Sequence, residues 1–323
     1  MNLREVAAQL QRFDEDYIPF PPFVAALDAI ESHLTLFRES GLVQNLLVLG
    51  ESGTGKSSLC RWLTNKYPKV IATDRDILPV LFVSIPPGGT VPNLAESILA
   101  ALGDPDPSQG KNSVKTARIV KLCAQCKVEL LLLDEAQHLH DRGQAGTHYY
   151  VADWLKSLLD ALQIPAVFLG LPRLETLLQV NEQLRRRFTQ RLHLSLGQGE
   201  AADIHHESLQ LFVSLGACLS IPLTPAPFSW DELGMRIFFA SDGRVAYVKK
   251  LLAGAYRQAL ENQLPVIDPP LLAQIFRRDV WVQGVGALNP FEQDFEFRRL
   301  DRGFEPFERG THYTSGKRGR EAP

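Results

Sequence analysis

The residues with the clearest chemical meaning form a glycine-rich loop near position 50. An apolar run precedes the loop, and a helix is expected to open at Ser57 and Ser58. The run matches the phosphate-loop pattern G-x-x-x-x-G-K-[ST] at every position. Such a loop wraps a polyphosphate, whose charge is attracted by backbone amides and the helix N-terminus. We expect ATP to bind to Gly50, Glu51, Ser52, Gly53, Thr54, Gly55, Lys56, Ser57 and Ser58.

Two side chains of this loop are expected to act on the phosphates directly. Lys56 should reach the β- and γ-phosphates, and the Ser57 hydroxyl should bind Mg²⁺. For hydrolysis, a phosphate loop acts together with a second motif of the same chain that carries acidic groups. Residues 129–135 supply it, because an apolar strand there ends in Asp134 and Glu135. Asp134 can hold the Mg²⁺ shell and Glu135 can orient the attacking water, so the pair predicts hydrolysis.

The phosphate loop and the acidic strand end resemble those of AAA+ ATPases, and this resemblance implies two further arginine sites. An arginine that reaches the γ-phosphate of a neighbouring subunit is expected before the fifth strand. Arg187 is the first choice and Arg186 the second, although a solvated helix end would explain both. Arg244 is placed like a lid arginine that folds back onto the phosphates. Its alternative is a surface arginine at an ordinary capped helix start.

The elements that must position these residues can be predicted from apolar periodicity. Strand-like runs occur at 45–49, 79–84, 129–133, 166–169 and 191–196. They alternate with helical stretches, which indicates an α/β fold with a doubly wound parallel sheet. An amphipathic helix is expected at 22–38, and helical periodicity dominates 203–274. We therefore predict an N-terminal arm and helix at 1–40, an AAA+ core at 41–200, a helical lid at 201–278 and a mobile, partner-binding tail at 279–323.

A narrower resemblance is carried by several features in one order over roughly residues 15 to 260. They are Ile18-Pro19 before a helix, the phosphate loop, Asp134-Glu135-Ala136-Gln137-His138-Leu139, the run 167–172, the run 184–188 and Gly243-Arg244. The series resembles the TniB and TnsC group of transposition ATPases, which is related to MuB and IstB. The resemblance implies an ATP-dependent ring or helical filament on duplex DNA. It also implies recruitment of a transposase and a target-selector protein, in some members within a CRISPR-associated system, and disassembly on hydrolysis.

One departure from the AAA+ pattern concerns the fourth strand. A polar sensor residue is usual near the end of that strand, but here it ends Leu169-Gly170-Leu171-Pro172-Arg173. The sensor is either absent or displaced to Arg173. This departure bears on the rate of hydrolysis more than on nucleotide binding.

DNA contacts and an adenine slot are expected from residues outside these motifs. Subunits that wind round a duplex need cations facing phosphates, and Lys111, Lys115 and Arg118 are the candidates. The alternative is a solvated helix start, which is at least as good an explanation for each. An apolar slot for adenine is expected among Ile18, Pro19, Phe20 and Phe23, for which core packing is the alternative.

Composition limits the class of protein. Among 323 residues the net charge is -3, so DNA contact must be local and not the work of a generally basic surface. The four cysteines are too scattered for a disulfide framework, and the N-terminus has no apolar signal core, so we expect a cytoplasmic location. Two alternatives stay open: an AAA+ loader of a replicative helicase, and a nucleotide-gated binding module with negligible turnover.

Overall fold

The computed structural model describes residues 3–15, 20–73, 75–139, 145–180, 182–196 and 203–308. The chain divides into two compact units. One unit, the nucleotide unit, comprises Tyr17–Glu207 and Arg244–Ala246. The other, the helical unit, comprises Met1–Asp16, Ser208–Gly243 and Tyr247–Pro323. The arm predicted at 1–40 is therefore divided between the two units.

The nucleotide unit is built on a parallel sheet. The strands of the described residues are β1 (Leu46–Leu49), β2 (Val70–Ile71), β3 (Asp76–Ile77), β4 (Val80–Ser84), β5 (Leu130–Asp134), β6 (Ala166–Gly170) and β7 (Gln190–His193). Five of them form the sheet in the order β4-β5-β6-β1-β7, and every pairing is parallel. This sheet confirms the predicted fold class. The short antiparallel hairpin β2–β3 was not predicted.

Helices pack around this sheet and make up most of the helical unit. They are α1 (Leu3–Glu15), α2 (Pro21–Ser40), α3 (Lys56–Lys66), α4 (Val91–Ala101), α5 (Asn112–Gln125), α6 (Ala145–Leu162), α7 (Leu174–Val180), α8 (Glu182–Arg187), α9 (Ile204–Gly216), α10 (Trp230–Ser241), α11 (Val245–Asn262) and α12 (Pro269–Ile275). None of the helices in the described ranges is both long enough and apolar enough to cross a membrane.

Burial explains why the central strands are almost entirely apolar, with Asp134 at the end of β5 as the one charged residue. Every residue of β1, β5 and β6 is buried, as expected for a parallel sheet covered on both faces. The rings of Phe168 and Phe188 pack with their centroids 4.3 Å apart. Phe188 directly follows α8, so this contact fixes the end of the arginine-rich helix against the sheet.

The first helix belongs to the helical unit because of contacts along one face. Val6 and Phe13 of α1 are buried. The Tyr256 hydroxyl donates to the Gln9 side-chain oxygen, and the Lys249 ammonium donates to the Asp14 carbonyl at 3.0 Å. Both partners lie on α11, so α1 packs on the helix that the sequence placed in the lid.

The segment after α12 differs from the mobile tail predicted at 279–323. Four of its apolar side chains, Phe291, Phe295, Leu300 and Phe307, are buried at 4% exposure or less. The predicted mobility is wrong for residues 279–308, because the absence of a helical or strand period reflects irregular turns that still bury aromatic rings. Partner binding by this segment stays a prediction. The last part of the predicted tail lies outside the described residues.

A buried arginine joins this segment to the helical unit. Arg236 on α10 is 2% exposed, and its guanidinium lies 3.8 Å from the ring centroid of Phe228. It donates to the carbonyl oxygens of Pro290 and Glu292 at 2.7 Å each, and to the Glu232 carboxylate at 2.7 and 2.9 Å. A planar group with several donors suits this position, because four of its hydrogen bonds are made where water is largely excluded.

Replacing Arg236 should therefore destabilise the helical unit. We expect Arg236→Ala to lower the free energy of unfolding by about 3 kcal/mol, since it leaves a carboxylate and two carbonyl oxygens without their donor. Arg257→Ala is the matched control, because Arg257 also pairs with a glutamate four residues away but is exposed. The control should change stability by less than about 0.5 kcal/mol. Equal losses in urea unfolding would contradict this role for burial.

Candidate nucleotide site

The phosphate loop is held at the carboxyl end of the sheet by strand pairing. Leu49 of β1 pairs with Gly170 of β6, and the Gly50 amide then donates to the Gly170 carbonyl at 3.0 Å. The loop turns into α3 at Gly55, whose φ of 98° lies in the left-handed region that favours glycine. The N-terminus of α3 therefore directly follows the loop, a position that favours an anion.

Lys56 is buried at the first position of α3. It is 5% exposed, and its ammonium donates to the carbonyl oxygens of Gly50 at 2.7 Å and Glu51 at 3.0 Å. Burial lowers the pKa of Lys56, whereas the charges of Asp134 and Glu135 partly restore it. A cation held by loop carbonyls beside two acids is placed to exchange those carbonyls for phosphate oxygens.

The predicted Mg²⁺ ligands lie together. The Ser57 hydroxyl donates to the Asp134 carboxylate at 2.7 Å, so a hydroxyl oxygen and a carboxylate oxygen converge beside the phosphate loop. Oxygen donors of this kind fit Mg²⁺, which takes few protein ligands and completes its shell with water and phosphate. Asp134 also accepts a hydrogen bond from the Glu135 amide at 2.9 Å. This bond fixes the backbone between the two acids.

Glu135 is the one acid of the pair that water can reach. Its side chain is 38% exposed, whereas Asp134 is 2% exposed. Its φ of 56° is unusual for a residue other than glycine and turns the side chain out of the strand direction. The buried acid is thus suited to a metal and the accessible one to a water molecule, and both roles stay predictions. The amide of Gln137 donates to the Glu135 carboxylate, a contact that sequence reasoning did not single out.

The predicted lid arginine lies close to the phosphate loop. Arg244 is 9% exposed, and its positive charge is among the causes that lower the pKa of Lys56. The Ala246 amide, in the first turn of α11, donates to the Gly53 carbonyl at 3.0 Å. A Cβ added to Gly53 would lie 2.9 Å from the Ala246 Cβ, so the two backbones are in close contact. The sequence predicted Arg244 but not Ala246, which has no chemical signal in its side chain.

The arginines of α8 have partners within the chain. Arg187 forms an ion pair with Asp160, and it also donates to the Gln183 carbonyl at 3.0 Å. Arg186 pairs with Glu182 at 2.5 Å and its side chain is 76% exposed. Arg185, which the sequence analysis did not single out, is exposed as well. The role of Arg187 and Arg186 toward a neighbouring subunit stays a prediction.

Two of the three predicted DNA contacts, Lys115 and Arg118, have acidic partners within the chain. Lys115 is 3% exposed and its ammonium lies 2.5 Å from the Glu96 carboxylate. Arg118 pairs with Asp104 and donates to backbone carbonyls. Both cations hold α5 to its neighbours because acidic partners from the preceding segment reach them, which spacing alone does not show. Lys111 is exposed and stays a candidate.

The aromatic residues expected to form an adenine slot lie beside the phosphate loop where they are described. Phe20 and Phe23 are buried, with ring centroids 5.9 Å apart. Carbon atoms of both rings lie 3.9 to 4.0 Å from the position of a Cβ on Gly55. Ile18 and Pro19 lie outside the described residues.

Solved structures with a similar fold define the class of this protein. The chain resembles the ORC1 protein of Aeropyrum pernix in complex with DNA, with a TM-score of 0.59 and 16% identity over 83% of this chain and 68% of the other. The ORC2 protein of Aeropyrum pernix, in ADPNP-ADP complexes, matches with a TM-score of 0.58 and 15% identity over 82% and 70%. Together with the phosphate loop and acidic strand end, these matches assign the fold to AAA+ P-loop NTPases.

The family follows from the sequence match. A model of the bacterial TniB protein family matches residues 9–196, and this chain belongs to that family. The match covers the nucleotide unit up to the end of the sheet and ends before α9. No curated protein sequence matches the chain.

The position of Lys56 leads to a direct test of the nucleotide site. We expect Lys56→Ala to weaken ATP binding about 100-fold, because a buried cation bonded to phosphate contributes about 1.5–3 kcal/mol through each charge-assisted bond. Lys66→Ala is the control, since Lys66 lies on the same helix but pairs with Glu31 at the surface. Fluorescence titration with a labelled nucleotide measures both. A similar loss in the two variants would point to damage to α3 instead of a lost phosphate contact.

Proposed function

We propose that this protein is a Mg²⁺-dependent ATPase that assembles on duplex DNA as a ring or helical filament and recruits a transposase to a target site. The observation that carries the proposal is the convergence of Lys56, Ser57, Asp134 and Glu135 at one end of the sheet. Membership of the TniB family supports the link to transposition. Hydrolysis would then time the disassembly of the complex.

The geometry of the acids supports hydrolysis as well as binding. Asp134 and Ser57 would hold Mg²⁺, which would supply charge stabilisation to the transferred phosphoryl group. Glu135 points from the end of the same strand with an accessible carboxylate, where it can orient water. Lys56 and Arg244 add positive charge beside the phosphates. A pure binding module needs the cations but not an exposed acid next to the metal ligand.

Assembly is supported by the arginines at the end of α8. Arg187, with Arg186 as the second choice, is proposed to reach the γ-phosphate of a neighbouring subunit. Each would exchange an internal acid, Asp160 or Glu182, for the phosphate. These exposed pairs contribute about 0–1 kcal/mol, so the exchange costs little.

Contact with DNA is proposed to involve the phosphate backbone and not the bases. Lys111 precedes the first turn of α5 and is exposed. A solved structure of similar fold, the ORC1 protein, is described in complex with DNA, which supports the search for such a contact here. Because several phosphates are neutralised together in such complexes, we expect affinity to fall steeply with salt.

Electron microscopy of the purified protein with duplex DNA tests the function and its alternatives. We expect rings or filaments on DNA with ATP or a slowly hydrolysed analogue, and bare DNA with ADP or without nucleotide. Glu135→Gln should keep ATP binding, lose at least about 100-fold in hydrolysis and stay assembled, because the carboxylate that orients water is gone. The fraction of DNA that carries rings or filaments is compared between the variant and wild type after the wild type has consumed its ATP.

The alternatives predict other outcomes in the same experiment. A nucleotide-gated module with negligible turnover would behave identically in wild type and Glu135→Gln. A helicase loader would form a small, stable complex with the replicative helicase. Bare DNA under every condition would rule out assembly on DNA and leave protein remodelling as the leading role.

The ordered C-terminal segment offers a docking point for the transposase or, second, for the target-selector protein. Phe304 is 93% exposed at the tip of a loop. Its amide donates to the Glu308 carboxylate at 2.8 Å, and Glu305 in the same loop is bonded by Arg298 at 2.6 and 2.9 Å. Phe307 is buried against Tyr247 and anchors the far side. A rigid loop that presents one aromatic ring loses little entropy on binding.

Removing the Phe304 ring should weaken recruitment without affecting the fold. Phe304 has a φ of 67°, a conformation that glycine adopts without strain, so we expect Phe304→Gly to fold normally. Capture of the cognate transposase should fall about tenfold or more, as for aromatic hot spots. Val282→Ala is the control, because Val282 is 74% exposed on the same segment. Unchanged capture by Phe304→Gly would exclude this loop from the interface.

A further inference from the structure

The end of β6 carries no polar side chain of its own, although it lies beside the acids of the site. Gly170 closes the strand and pairs with Leu49 of β1. Arg173, the only polar residue in the following turn, is exposed. A polar group from another element contacts both Glu135 and the chain that leaves this strand end.

Gln137 supplies such a group. It lies in the 3₁₀ turn Ala136–Leu139 directly after β5 and is 2% exposed. Its side-chain nitrogen donates to the Glu135 carboxylate, and its side-chain oxygen accepts from the Leu171 amide at 3.1 Å. These two bonds use opposite ends of one amide, so they fix both its orientation and the direction of the carboxylate.

The space for this amide exists because residue 170 is a glycine. A Cβ added to Gly170 would lie 2.7 Å from the Gln137 side-chain oxygen and 3.3 Å from the Gln137 backbone nitrogen. Real Cβ atoms essentially never come as close to another atom as the first of these distances. The Gln137 amide thus occupies the place where a side chain on residue 170 would begin.

We propose that Gln137 is a positioning residue for hydrolysis, which supplies from the turn after β5 the polar group that the end of β6 lacks. It directs the Glu135 carboxylate and ties it to the Leu171 backbone, from which the chain continues into α7 and α8. A movement of the Glu135 carboxylate is thereby connected to the segment that carries Arg186 and Arg187. This inference rests on the proposed ATPase function.

The test compares three single variants with wild type. Gln137→Met keeps the length of the side chain but neither hydrogen bond, and we expect kcat for ATP hydrolysis to fall about 10- to 100-fold while nucleotide affinity changes less than about threefold. Gly170→Ala should lower kcat similarly, because its Cβ displaces the same amide. His138→Ala is the control, since the partly exposed His138 ring is also near the Glu135 carboxylate, but at 3.7 Å it lies beyond hydrogen-bond distance. It should retain kcat within about threefold.

A double variant separates positioning from simple packing. Gln137→Ala opens the space beside the strand end, and Gly170→Asn places an amide there from β6 itself. We expect Gln137→Ala alone to lose kcat and Gln137→Ala/Gly170→Asn to recover at least about threefold of it. A packing role predicts no recovery, because the asparagine does not restore the lost contacts of the longer side chain.

Each result supports or overturns the proposal. Unchanged kcat in Gln137→Met with an active wild type overturns it and leaves the ATPase function intact. Equal losses of kcat and nucleotide affinity, or a fall in thermal stability that accounts for the loss, assign Gln137 to the fold instead. A wild type that binds ATP without turnover defeats the ATPase function itself, and the positioning role with it.

Discussion

Parallel pairing of β1, β5 and β6 fixes where three strand ends lie, and the nucleotide site depends on that register. Leu49 pairs with Gly170 and Leu133 pairs with Phe168, so the phosphate loop, Asp134 and the turn after β6 emerge at one edge. A shift of one residue in a strand would turn its side chains to the opposite face. Such a shift would also move Asp134, the one charged residue of these buried strands, away from the Ser57 hydroxyl that donates to it.

Electrostatics at this edge follow from unequal burial of charged groups. Lys56 and Asp134 are both nearly inaccessible to solvent, and burial of the ammonium is the largest influence on the pKa of Lys56. The nearby acids oppose that influence, so the site holds opposite charges together where few water molecules screen them. Glu135, one residue further along, is accessible. The end of a single strand therefore carries one buried and one accessible carboxylate.

Sequence patterns predicted the sheet and the phosphate-binding residues because both are local signals. Apolar runs predict strands, and the glycine spacing predicts the phosphate loop. The five-stranded sheet agrees with the first prediction, and the contact of Ser57 with Asp134 places the loop beside the acidic strand end. What the sequence did not show are contacts between side chains that lie on different elements. Lys115 looked like a free cation because its acid, Glu96, lies on the preceding helix. The segment after α12 looked mobile because aromatic residues in irregular turns show no period, although Arg236 and buried rings hold it.

Contacts between different elements also explain how the polar residue expected near the end of β6 can be missing from that strand. A sequence pattern assigns the polar side chain to one position of one strand. The proposed role requires only that a side-chain amide lie beside Glu135, whichever element supplies it. A glycine at position 170 and a glutamine two residues after Glu135 satisfy that requirement jointly. Neither residue indicates this role by itself, because the glycine has no side chain and the glutamine lies outside the phosphate-loop pattern. Their functional value arises only from the pairing of β5 with β6, which brings them within one contact distance.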